Sequence, residues 1–62
     1  MYAVDYDTAI DKATKLAIAN NTTAYVLFCN QDDVYVIVDH RDDVGDKSTI
    51  ALVDPDGHIY PF

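Results

Sequence analysis

TAYVLFCNQDDVYVIV (residues 23–38) holds two runs of β-branched and aromatic residues parted by Asn30-Gln31-Asp32-Asp33. The runs suit a pleated, half-buried surface, and the polar break is made of residue types that favour chain reversal. The stretch predicts a β-hairpin, with strands over 23–29 and Val34–Val38.

Working outward, STIALV (Ser48–Val53) and HIYPF (58–62) have strand composition, and DPDG between them places proline early and glycine last, as a β-turn does. HRDDVGDK (40–47) predicts a longer loop. Pro61 has no N–H to give a ladder, so the last strand belongs at an edge, and residues 1–4 supply a further edge strand. Before the hairpin, Tyr6, Ile10, Ala13 and Ala17 recur at helical spacing, and Ala9 and Leu16 widen the stripe. A helix over 7–20 follows, with Asp5 or Asp7 as N-cap and Asn20-Asn21 as the stop. Short connections favour antiparallel neighbours. The fold class is therefore α+β: a single small domain, 1–62, with one N-terminal helix packed on a three- to four-stranded antiparallel meander sheet.

The totals limit function. A chain of 62 residues buries only about 60% of the surface it exposes when unfolded. Cys29 is the lone cysteine, so no internal disulfide forms, and no zinc-type spacing exists; self-association becomes the favoured support. Half the residues are hydrophobic, which excludes disorder despite a net charge of −7. The absence of a cationic leader or long apolar run predicts a soluble, cytoplasmic protein without membrane attachment. So acidic a chain does not bind nucleic acid directly, which needs clustered Lys and Arg; a basic protein is the expected partner.

All eleven acidic residues are aspartate, a residue type that prefers caps and turns. In a meander, alternate turns share one end of the sheet. That geometry gathers Asp32, Asp33, Asp54, Asp56, Asp5 and Asp7 at one pole with no Lys or Arg. Asp39, Asp42, Asp43 and Asp46 gather at the other, beside Arg41 and Lys47. The plainer account is that turn aspartates form turns, keep the chain soluble and protect strand edges.

One helix covers one face of a sheet, yet these strands do not alternate apolar and polar as a half-wet sheet should. Tyr25, Leu27, Tyr35 and Ile37 are expected on the uncovered face, where a contiguous apolar patch with tyrosine marks an interface. A homodimer through that face follows.

No reaction chemistry stands out. Asp54, Asp56 and His58 alternate, and turn carboxylates are oxygen ligands that suit calcium or magnesium, but neither glycine sits in an EF-hand pattern and the chain has no Glu to close one. Ser48, His40 and Asp42 or Asp43 could be assembled into a triad on paper, without diagnostic spacing or an oxyanion device. No cofactor, metal or catalytic residue is expected. The sequence predicts a non-enzymatic acidic protein that occupies a basic, nucleic-acid-binding surface of a partner, inhibitor-like, a physical type typical of phages and mobile elements. The alternative is a structural or regulatory homo-oligomer joined through the tyrosine face; a calcium-binding module is the least favoured.

Overall fold

Asp5 starts the helix. In the computed structural model of the chain, which describes residues 1–39 and 48–61, its Oδ1 accepts the Thr8 amide at 2.7 Å. That bond satisfies one of the donors a helix N-terminus leaves open. The helix, α1, spans Tyr6–Asn20 and ends at Asn21, whose φ of 50° and ψ of 50° are left-handed. The Thr22 amide then reaches back to the Ala17 carbonyl at 3.1 Å and the Asn21 amide to that of Ile18 at 3.4 Å. This is the Schellman closure that asparagine tolerates better than most residues.

Five strands follow the expected composition: β1 (Tyr2–Ala3), β2 (Ala24–Cys29), β3 (Val34–Val38), β4 (Ser48–Val53) and β5 (Ile59–Pro61). They form one sheet in the order β1-β3-β2-β4-β5, with every pair antiparallel. The α+β arrangement, one helix on an antiparallel sheet, is as expected. The strand count is higher because both chain ends pair, and Pro61 does sit on an edge strand.

The meander is not continuous. β4 pairs with β2, not with β3, so β3 and β4 flank β2 and run in the same direction. β2 carries no charged residue, and the centre of the sheet gives it hydrogen-bonding neighbours on both sides. The far side of β3 is taken by β1, with Tyr2 opposite Val36 and Ala3 opposite Tyr35.

The hairpin register decides which side chains share a face. Cys29 pairs with Val34 across the four-residue turn, where the Asp33 amide donates to the Cys29 carbonyl at 2.9 Å and Asp33 takes a left-handed φ of 56°. An even-numbered turn sets odd residues of β2 opposite even residues of β3. Tyr25 therefore opposes Val38 and Leu27 opposes Val36, while Val26 opposes Ile37 and Phe28 opposes Tyr35. Opposed residues point to the same side. Tyr25 and Leu27 thus lie on one face, and Tyr35 and Ile37 on the other. The expected four-residue patch does not form, and two of its members, Leu27 and Ile37, are buried.

The α1 side of the sheet holds the main core. Ala9, Ala13 and Ala17 are fully buried against Ala24, Val26, Ile37, Ala51 and Val53, with Ile10, Leu16, Tyr35 and Ile50 packed around them. Alanine at each of the three helix positions brings the helix backbone close to the sheet. Tyr6, expected on the buried stripe, is exposed.

A register shift between Val26 and Leu27 sets Ala51 opposite Val26 and Thr49 opposite Leu27, leaving Ile50 as the extra residue of a bulge. Thr49 Oγ1 is buried there with no hydrogen-bond partner. Thr49→Val keeps the shape and removes the stranded hydroxyl, so it should raise stability by about 1 kcal/mol. A urea midpoint that moves upward with unchanged slope is the expected result; a lower midpoint would mean the hydroxyl is satisfied in solution.

Candidate functional site: an acidic end built by a helix cap and a turn

Two segments meet at one end of the molecule. Tyr6, between Asp5 and Asp7, packs edge-on against Tyr35 with ring centroids 6.1 Å apart, and Tyr35 in turn lies 5.2 Å from Phe28. These rings tie the start of α1 to the start of β3. The pairing of Ala3 with Tyr35 brings the segment leading into α1 to the end of β3 that holds the β2–β3 turn. Asp5, Asp7, Asp32 and Asp33 are all exposed, and among the described residues no Lys or Arg stands at this end.

The carboxylates are held in different ways. Hydrogen bonds from Thr8 keep the Asp5 carboxyl below its ordinary range. Asp7 lies in the first turn of α1, where negative charge meets the positive end of the helix dipole. Asp32 Oδ2 lies 4.0 Å from the Cys29 thiol. Asp33 is fixed by its left-handed turn position.

Asp54 and Asp56 are elsewhere. Because β4 runs alongside β2 in the opposite direction, Val53 ends beside Ala24, at the end where α1 finishes. The turn after it is closed by hydrogen bonds from the Gly57 amide to the Asp54 carbonyl and from the Asp54 amide to the His58 carbonyl, both 2.9 Å. Gly57 has a φ of 92°, a conformation that suits glycine. The six carboxylates expected together therefore divide, four at one end and two at the other. Asp39, just beyond β3, joins Asp54 and Asp56. Asp42, Asp43 and Asp46, with Arg41, Lys47 and the His40 of the paper triad, lie outside the described residues, as does Phe62.

The second end has its own polar contacts. Asp56 Oδ1 accepts the His58 amide at 3.3 Å and its Oδ2 lies 3.1 Å from His58 Nδ1. These contacts, the backbone one foremost, lower the Asp56 pKa. A hydrogen bond to Asp54 raises that of the Tyr60 hydroxyl. By linkage, Asp5 and Asp56 stabilise the fold above their ordinary 3.8 and lose that contribution as pH falls through the lowered value. Tyr60 contributes below its ordinary 10.0 and loses it as pH rises through the raised value. Among the described residues no three His, Cys, Asp or Glu side chains are grouped to hold a metal ion, and no helix is long and apolar enough to cross a membrane.

Sequence reasoning did not find the Tyr6–Tyr35 contact that joins the two acidic segments. Its one trace was the Asp-Tyr-Asp triplet at 5–7, where an aromatic ring stands between the cap and the first turn. No family model, curated protein or solved structure matches the chain.

Proposed function

We propose that the protein is a non-enzymatic binding protein that docks its four-carboxylate end on a basic surface of a partner protein, such as the nucleic-acid-binding face of one. The observation that supports this most is the joining of the helix cap to the β2–β3 turn through Tyr6 and Tyr35. Exposed carboxylates on two anchored segments present spaced negative charge on a rigid support, as a phosphate backbone does. Such a surface speeds encounter with a basic site and then obstructs it. Tyr6, exposed between Asp5 and Asp7, supplies the apolar contact that charge alone does not.

The test uses two baits, the intact protein and an Asp32→Asn/Asp33→Asn variant, against extract of the cells that make it. A protein captured only by the first bait is then examined alone. Its affinity for the intact protein should fall steeply between dilute and physiological salt. The double variant should associate about ten-fold more slowly, with a smaller change in dissociation. Both positions are exposed turn residues, and asparagine accepts the left-handed conformation of Asp33, so the variant should stay folded. An affinity indifferent to salt sinks the proposal.

A further inference from the structure

α1 carries a second stripe besides its alanines. Lys12, Lys15, Leu16 and Ala19 fall at i, i+3, i+4 and i+7, one flank of the helix. That flank adjoins Met1, whose carbonyl accepts the Ile37 amide at 2.8 Å and is thereby fixed at the edge of the sheet. These five residues line an open groove of about 440 Å³, within the range of small-molecule sites. Its lining is apolar at Met1, Leu16 and Ala19. The described residues hold only two lysines and no arginine, and both lysines line this groove. Lys15 is paired with Asp11 at 3.1 Å; Lys12, half-buried, has no carboxylate partner among the described residues.

We propose that this groove binds a free single-chain amphiphile bearing one carboxylate, of the fatty-acid type, with its tail along Met1, Leu16 and Ala19 and its head at Lys12. Charge complementarity selects the head: an ammonium with no carboxylate partner among the described residues, set beside apolar surface, favours an anion. The rest of the chain limits that anion to one charge. With a net charge of −7, the protein repels acidic peptides and nucleic acids. Asp11 is already offset by Lys15, and salt screens a carboxylate beside Lys12 from aspartates farther than about 8–10 Å.

The test titrates the full chain with dodecanoate, dodecanol and dodecyltrimethylammonium, each below its micelle-forming concentration, and follows backbone amide shifts. Dodecanoate should bind saturably, with the largest shifts at Lys12, Leu16 and Ala19, and about two- to five-fold more tightly than the alcohol. Lys12→Gln should bring dodecanoate down to the affinity of the alcohol without changing the alcohol's own. Ala19→Leu, at an exposed position, should fill the groove and weaken both. Equal affinity for all three probes, shifts centred on the sheet face away from α1, or no saturation would each overturn the proposal. So would tighter capture by phosphatidylglycerol vesicles than by dodecanoate, which would assign the lysines to a lipid surface.

Discussion

Ile37→Ala should cost about 2–5 kcal/mol of folding stability, toward the upper end of that range. Ile37 is 2% exposed, lies opposite Val26, and belongs to the cluster beneath α1. Much of the surrounding surface is alanine, at 9, 13, 17, 24 and 51. Methyl groups on fixed backbone cannot swing in to fill the space a lost sec-butyl leaves, so the cavity stays open. At about 0.05–0.15 kcal/mol per residue, a chain of 62 residues has roughly 3–9 kcal/mol in all. The variant should therefore lose about half or more of its total stability, seen as a urea midpoint lowered by a similar fraction. The same substitution also separates two placements of Ile37. On an uncovered interface face, alanine would weaken self-association and leave the monomer folded. A folded variant with a near-native urea midpoint would restore that placement and remove Ile37 from the core.

The local fold was legible because its signals are local. The helix limits came out to within a residue, 7–20 against Tyr6–Asn20, because Asp5 or Asp7 as cap and Asn20-Asn21 as stop act within a turn of the helix end; the structure takes Asp5 and Asn21. The strands followed from β-branched and aromatic runs, and the edge position of β5 from the missing N–H of Pro61. What failed depended on relations between segments. The parity of the hairpin was within reach, since the number of residues between Cys29 and Val34 alone decides whether Tyr25 and Tyr35 share a face. Strand order was not. Nothing between Asp39 and Ser48 says whether the next strand adds beside β3 or crosses to β2, because that choice is settled by competition for β2 and by β1 occupying the far edge of β3. The acidic pole inherited this error. Asp5, Asp7, Asp32 and Asp33 stay together because the hairpin and the helix return are short-range, whereas Asp54 and Asp56 are carried to the opposite end by the direction of β4.

Ala13→Leu should destabilise the protein by about 1–3 kcal/mol, a fall in Tm of about 4–8 °C for each kcal/mol in a domain of this size. Leucine is nearly as good a helix former as alanine, so the loss measures packing. Ala13 is fully buried, midway along the Ala9–Ala13–Ala17 stripe, and an isobutyl group there must lift α1 from the sheet. The consequences reach both the acidic end and the groove. Lifting α1 draws Tyr6 from Tyr35 and parts Asp5 and Asp7 from Asp33, so nuclear Overhauser contacts between the two rings should weaken. It also widens the groove beside Leu16 and Ala19, so dodecanoate should bind less well although Lys12 is intact. Ala19→Leu supplies the control, since its position is exposed and its stability should stay within about 0.5 kcal/mol of the parent. If Ala13→Leu keeps the parent Tm and the ring contacts, the helix does not rest on its alanines, and the acidic end loses the rigid seat on which charge-led docking depends.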